Sequence, residues 1–347
     1  MPVQLNLFER IALLRLGKGP GPMADLMGVL AFKAVMTALR LGLFDAIGRD
    51  AKTIDQITSA TGTDRAGLGL LIGALESLGY VRIRRNKIRN TFMTQNWLLH
   101  DSPSNISAMF DQFNDISARW EYLDESMRHG RPPRLGYEWL DQDQKRWDAY
   151  HAGLKSAAMM LSPEILKRIR IPRTAEHLLD LGGSHGQYSI EFCKRYPRLT
   201  GVVYDWPSAS RIAMENILST GLSGRISFMA GDFLKDELPD GQDIILMFNT
   251  IRIFDPVILK TILVKICRSL NHGGLLVIMD HIGKASPSRF MKANAYFVLL
   301  ELFNSTEGRI YTHAEIADFL DQSGFSRTRY HAINHSPGLG IITATKP

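Results

Sequence analysis

The chain reads as an α/β protein with a doubly wound, mainly parallel sheet in its C-terminal half and a mainly helical half before it. Three observations predict this. From His177 onward, apolar strand-like runs alternate with helical patterns, the order expected of βαβ units. The first of those strands, Leu178–Leu181, runs straight into Gly182-Gly183-Ser184-His185-Gly186, and a helix opens at about Gln187. Ahead of them, three helical segments lead into two short strands with a basic turn between them.

With 347 residues, the chain is long enough for two domains with separate cores. Hydrophobic residues make up 45% and charged residues 22%, ordinary values for a globular protein. No apolar run approaches the ~18 residues of a membrane span, so no integral membrane segment is expected. Glu9, Arg10 and Arg15 interrupt the short apolar stretch at the start, which therefore lacks a secretory pattern. Cys193 and Cys267 lie far apart and read as packing residues in a reduced, cytoplasmic setting. The net charge of +6 permits nucleic acid, an anionic substrate or an anionic surface and selects none of them.

Residues 1–22 form a short amphipathic arm closed by Gly17-Lys18-Gly19-Pro20-Gly21-Pro22, suited to packing or dimerisation or, alternatively, to docking on a membrane surface or partner. A helix over about Ala24–Leu41 leads to Gly42-Leu43-Phe44-Asp45. Two more follow, at about Ile54–Thr61 and from an Asp64 cap to about Leu78. Strands Tyr80–Arg84 and Lys87–Phe92 flank Arg85-Asn86, a hairpin. Three helices and a hairpin make a winged helix, and Arg82, Arg84, Arg85, Lys87 and Arg89 crowd its wing. Yet the third helix, Gly67-Leu68-Gly69-Leu70-Leu71-Ile72-Gly73-Ala74-Leu75, is apolar almost all round, whereas base readout needs polar side chains. It should be buried, in this chain or in a partner subunit, and no nucleic acid is expected.

Residues 100–170 read as several helices rich in aromatics and methionine, broken at Arg131-Pro132-Pro133. Most of Phe110, Phe113, Trp120, Tyr122, Met127, Trp139, Trp147, Tyr150, Met159 and Met160 should pack in a core or dimer contact, the rest lining a pocket for an apolar small molecule. Strands then follow at Leu178–Leu181, Gly201–Tyr204, Ile226–Met229, Asp243–Phe248 and Leu275–Met279, with helices from Ser208 and over about Pro256–Leu270. A helix at about His313–Ser323 and the strand pair Ser326–Tyr330 and Gly340–Thr345 complete the sheet.

The glycine turn lets backbone pass close to a ligand, and the helix behind it points unpaired N–H groups there. Asp205 follows about 20 residues beyond, at the next strand end, suiting a ribose diol. A nicotinamide dinucleotide is the rival, but G-x-G-x-x-G is absent and Asp180 stands at the strand end. A carboxylate there would repel a pyrophosphate and accept a hydrogen bond from a cationic amino acid, which favours S-adenosylmethionine. Asp232 and Phe233 after the third strand suit an adenine, one taking the amine and the other stacking, although an ordinary strand-end turn looks the same.

Taken in order, Gly42-Leu43-Phe44-Asp45, Asp180 to Gly186, Tyr204-Asp205-Trp206-Pro207, Gly231-Asp232-Phe233 and Gly308-Arg309-Ile310-Tyr311-Thr312 resemble the small-molecule O-methyltransferases of the hydroxyindole (acetylserotonin) and caffeic acid type. The resemblance covers nearly the whole length. It implies a winged-helix dimerisation domain over 1–100, a helical pocket layer over 101–170 and a Rossmann-like, S-adenosylmethionine-dependent domain over 171–347, in a homodimer acting on a small aromatic or conjugated molecule. It also implies that Asp180, Gly182 and Ser184 hold the methionine part, Asp205 the ribose, and Asp232 and Phe233 the adenine, with Gly183, Trp206 and Asn249 also binding the cofactor. Ser184 stands where the family usually has a third glycine.

One departure stands out. The family typically reads N-V-L-H-D-W at the end of the fourth strand, where its histidine removes the acceptor's proton. This chain has Asn249-Thr250-Ile251-Arg252-Ile253-Phe254. Arginine stays protonated at physiological pH and cannot be a general base. Asp280 aligns with the acid that orients the histidine, and Ile310 with a second family acid. Arg252 then pairs structurally with Asp280, or anchors an anion or developing phenolate, or marks a loss of methyl transfer. His281, Tyr311 and His151 are the conceivable replacement bases. The function expected is methylation, on oxygen or carbon, without the histidine base. The alternatives are a non-methylating enzyme on the same scaffold and a cofactor-binding transcriptional regulator.

Overall fold

A computed structural model describes residues 7–12, 16, 22–283, 289–306, 308–333 and 338–347. The expected arm over 1–22 falls largely outside them. The chain forms two compact units, Met1–Asp111 and Gln112–Pro347.

In the first unit, helices span Met23–Arg40, Leu43–Ile47, Ile54–Thr61 and Arg65–Ser77. Local capping sets the starts of the last two. Thr53 and Gln56 form a reciprocal capping box, and the Asp64 carboxylate accepts the Gly67 N–H at 2.7 Å. Strands β1 (Val81–Arg84) and β2 (Lys87–Asn90) pair antiparallel around Arg85 and Asn86, whose φ values of 49° and 59° make the two-residue turn that suits strand twist. Phe44, Ile47, Ile57, Leu68, Ile72 and Leu75 form the core. The buried Asn90 amide donates to the carbonyls of Phe44 at 2.7 Å and Gly48 at 2.8 Å, tying the hairpin to helix Leu43–Ile47.

Within this chain the helix Arg65–Ser77 buries only the face carrying Leu68, Ile72 and Leu75, and Leu70 is 80% exposed. Its small residues, Gly67, Gly69, Gly73 and Ala74, flank Leu70 on the exposed side.

In the second unit, β3 (His177–Leu181), β4 (Thr200–Asp205), β5 (Ile226–Ala230), β6 (Gln242–Phe248), β7 (Leu270–Gly283), β8 (Tyr311–Thr312), β9 (Ser326–Ala332) and β10 (Leu339–Thr345) form one sheet in the order β5-β4-β3-β6-β7-β10-β9, with β8 beside the end of β7. The pairs β5–β4, β4–β3, β3–β6 and β6–β7 are parallel, and β10 runs antiparallel between β7 and β9. Successive side chains alternate between two cores. Leu178, Ile244, Leu246 and Val277 meet Leu161 and Ile165 of helix Gln144–Arg168, while Leu179, Ile245, Met247 and Ile278 meet Leu259, Leu263 and Ile266 of helix Pro256–Ser269. Chain order reverses between β3 and β6, so the crevice at their carboxyl ends is where such a sheet binds ligands.

Helix Arg289–Ser305 is absent from the sequence reading, and β7 is longer than the expected Leu275–Met279. The segment Phe297-Val298-Leu299-Leu300-Glu301-Leu302-Phe303 is too continuously apolar to show a helical period. Cys193 is buried and Cys267 half-buried, and both are free thiols.

Replacing Asn90 by Ala strands two carbonyls beneath the hairpin. This should cost the protein about 2–4 kcal/mol in urea unfolding, since each unmet buried group loses about 1–3 kcal/mol. A loss below about 0.5 kcal/mol, the range of unremarkable surface changes, would show that this tie is dispensable.

Candidate active site

The glycine turn is shaped by three left-handed residues, Gly182 (φ 72°), Ser184 (φ 47°) and Gly186 (φ 66°). A Cβ at Gly182 would press on Thr250 Oγ1 at 3.1 Å, and one at Gly183 would strike the Asp180 carboxyl at 2.7 Å. Asp205, at the end of β4, braces the turn: its Oδ2 accepts the Ser184 N–H at 2.7 Å and its Oδ1 the Trp206 N–H at 2.6 Å. Asp180 is 1% exposed and accepts the Ser189 hydroxyl at 2.8 Å. Burial pushes its carboxyl up to about 7, against the pull of Ser189. Burial also raises Asp205 to about 6, with the Trp206 and Ser184 N–H groups opposing it. After β5, Asp232 accepts the Leu234 N–H at 3.0 Å and pairs with Lys235, and the Phe233 ring meets Phe254 edge-on at 5.8 Å.

At the end of β6 the chain turns through Asn249 (φ 55°) into a short 3-10 helix, Ile251–Ile253. Arg252 Nη1 donates to Asp280 Oδ1 at 2.7 Å and to Asn249 Oδ1 at 3.0 Å. Asp280 is fully buried and also accepts the backbone N–H of His281 at 2.7 Å and of Arg252 at 3.3 Å. Burial works against the charge of Arg252, but the attraction of Asp280 outweighs it and carries the guanidinium above its ordinary value. Among the described residues, nothing accepts from its Nε or Nη2, which leaves three N–H donors unspent.

Two adjoining cavities meet at this arginine. The first, about 310 Å³, takes in the glycine turn, Asp205, Trp206, Asp232 and Phe233. The second, about 530 Å³, is walled by Phe113, Ile116, Trp120, Leu140, Phe297 and Val298. Tyr137, Tyr150, Leu154, Asn249, Arg252 and Ile253 line both. Tyr137 and Tyr150 are pushed up by burial, so their phenols stay protonated beside the guanidinium. In the wall of the second cavity, Glu301 accepts from Arg119 Nη2 at 2.5 Å and Trp120 Nε1 at 2.6 Å, and Arg119 also pairs with Asp115 at 3.0 Å.

The structure thus gathers Asp180, Gly182, Gly183, Ser184, Asp205, Trp206, Asp232, Phe233 and Asn249 around one cavity, with Asp280 beneath Arg252 and His281 on the second. The candidate bases fare differently. Tyr311 is fully buried and donates to the Phe254 carbonyl at 2.6 Å, so it is a structural residue. His151 lies on the first cavity with Nδ1 2.6 Å from Ser184 Oγ. His281 lines the second cavity, where burial and the Arg252 charge lower its pKa to about 4. Of the expected pocket aromatics, Phe113, Trp120, Trp147 and Tyr150 line the cavities, whereas Tyr122 and Met127 are exposed. Tyr137 and Glu301 went unread in the sequence. Glu301 carried a signal, because a lone carboxylate in an apolar run needs a partner.

Comparisons with known proteins agree with this fold. The O-methyltransferase domain family model matches residues 120–326. The 3-hydroxy-5-methyl-1-naphthoate 3-O-methyltransferase of Streptomyces sahachiroi is 24% identical over 92% of this chain and 93% of its own. The L-tyrosine C(3)-methyltransferase of Streptomyces lavendulae is 24% identical over 95% of this chain and 94% of its own. Among solved structures, human N-acetylserotonin methyltransferase in complex with S-adenosylmethionine superposes with a TM-score of 0.82 at 20% identity, covering 99% of both chains.

Two outcomes follow from the buried groups. Tyr311→Phe should cost about 1 kcal/mol of stability, the worth of one hydrogen bond, and leave turnover unchanged. A drop in turnover without loss of stability would return Tyr311 to the chemistry. Asp180 and Asp205 have folded values above the ordinary carboxylate value of 3.8. Their stabilising contribution is therefore complete below about pH 4 and is lost as pH rises through about 6 and about 7. Urea unfolding of Asp180→Asn between about pH 5 and pH 8 should show a flatter decline than the parent. Parallel curves would assign the decline to other groups.

Proposed function

This chain belongs to the O-methyltransferase domain family, and from that premise we propose that it moves a methyl group from S-adenosylmethionine to a small aromatic or conjugated acceptor that ionises easily. The first cavity fits that cofactor by the chemistry of its walls. Three carboxylates, Asp180, Asp205 and Asp232, face it, and its one arginine is already paired with Asp280. Such a surface repels a pyrophosphate and suits a cationic nucleoside. When bound, S-adenosylmethionine supplies an electrophilic methyl group open to in-line displacement. Asp180 and the Gly182–Ser184 turn hold the amino-acid end, Asp205 and Trp206 the ribose side, and Asp232 with Phe233 the adenine.

One observation carries the acceptor half: a guanidinium with unspent donors stands on the wall common to both cavities. Arg252 occupies the position where the resemblance expects a histidine, and it cannot take a proton. What it does instead is hold negative charge, binding a phenolate or enolate oxygen through Nε and Nη2 while Nη1 stays on Asp280. The acceptor's own acidity then replaces the base, and the aromatic walls supply orientation and exclusion of water. Oxygen and carbon acceptors both satisfy this, and of the two relatives named above one is an O-methyltransferase and the other a C-methyltransferase. The same reading assigns residues 1–100 to dimerisation, 101–170 to the pocket layer and 171–347 to methyl transfer. Exposed Leu26, Val29 and Leu30 on helix Met23–Arg40 support a second copy as the dimerising partner.

The test keeps Asp280 neutralised, because an unpaired buried carboxylate costs about 3–5 kcal/mol and would confuse folding with chemistry. Arg252→Lys retains the charge and loses the fork. With an acceptor found by the mass gain of one methylene in a metabolite extract, turnover should fall about 10–100-fold while cofactor affinity holds, the equivalent of about 1.5–3 kcal/mol for a hydrogen bond to a charge. Across a set of phenols, the rising limb of the parent's pH–rate curve should follow each phenol's own acidity. A limb fixed at one pH for all acceptors would reveal a protein base and sink the proposal.

A further inference from the structure

Ser184 is out of place by ordinary backbone rules. It holds φ at 47°, a left-handed conformation that favours glycine and costs other residues about 1–2 kcal/mol. The flanking left-handed positions, Gly182 and Gly186, are glycines. A serine kept there points to a use for its side chain, and the structure shows the contact: Ser184 Oγ lies 2.6 Å from His151 Nδ1. His151 comes from helix Gln144–Arg168, is 4% exposed and stacks on Trp147 with ring centres 5.2 Å apart.

The direction of this bond follows from the other ring nitrogen. His151 Nε2 is buried and has no hydrogen-bond partner among the described residues. A buried N–H without an acceptor is rarer and costlier than an unmet lone pair, so the imidazole proton sits on Nδ1 and Nε2 is bare. Burial holds the ring neutral, with its pKa down to about 4, so this tautomer persists at physiological pH. His151 Nδ1–H therefore donates to Ser184 Oγ. The serine's own proton is left without an acceptor among the described residues, on a side chain that lines the first cavity.

We infer that Ser184 donates this hydroxyl proton to the carboxylate of the cofactor's amino-acid end, with His151 as a positioning residue that fixes the hydroxyl's direction. The inference rests on reading the first cavity as the S-adenosylmethionine site. Within that site it completes the recognition of a zwitterion: Asp180 accepts from the ammonium and Ser184 gives to the carboxylate, two residues of opposite role on one turn. The pairing also accounts for the backbone cost at Ser184, since a charge-assisted hydrogen bond outweighs it.

Calorimetric titration of the whole protein with S-adenosylmethionine and with its decarboxylated analogue separates the possibilities. Ser184→Gly relieves the left-handed strain, so its melting temperature should match or exceed the parent's. Its affinity for S-adenosylmethionine should nonetheless fall about 10-fold or more, while affinity for the analogue stays the same. His151→Leu should repeat that pattern, and His151→Asn, which can present an amide N–H near the Nδ1 position, should recover most of the loss. If the parent bound no S-adenosylmethionine, the reading of the cavity would fail and this inference with it. If the parent bound it and Ser184→Gly bound it equally well, or lost both ligands equally, only the inference would fall.

Discussion

A carboxylate with no exposed surface must be answered by donors, and the answer given to Asp280 organises the centre of this protein. Three hydrogen bonds converge on it, from the Arg252 guanidinium and from the backbone N–H groups of Arg252 and His281, while Asn249 accepts a further bond from the guanidinium. These contacts lock the end of β6 against β7. They also hold Asn249 in a left-handed turn and fix the wall shared by the two cavities. The energetics are those of a buried ion pair, where the penalty of losing one partner exceeds the net worth of the pair. Arg252 is thus structural along one edge of its planar fork and chemically available along the other.

The two halves of the site differ in electrostatic character. Around the glycine turn, carboxylates are buried ahead of any counter-charge, which is why Asp180 and Asp205 sit above the ordinary range. Around Arg252, charge is balanced and phenols are kept neutral. A cationic donor relieves the first environment, and an anionic acceptor suits the second. On the proposed reading the reactants bring opposite charges to one junction, and attraction itself assists their approach.

Local signals in the sequence were read with most success. The Asp64 cap, the Arg85-Asn86 turn and the glycine turn each act within a few residues, and the structure has each in its expected place. Helix Arg289–Ser305 escaped because an almost unbroken apolar run has no face to betray its period. The roles of Tyr311 and His151 depend on partners far away in the chain, the Phe254 carbonyl and Ser184. No spacing rule encodes such meetings. Left-handed backbone at Ser184 and Asn249 was equally invisible, since neither is glycine.

The place of β10 has a consequence for how the protein is made. It is threaded between β7 and β9, antiparallel to both. Strand β7 therefore presents an open hydrogen-bonding edge from the moment it pairs with β6 until residues 339–345 emerge from the ribosome. That edge carries Val277, Ile278 and Met279, all buried in the finished sheet. An apolar edge left open during synthesis is a template for pairing with the wrong chain. Yield in cells should thus be governed by the interval between two strands rather than by the stability of the finished fold.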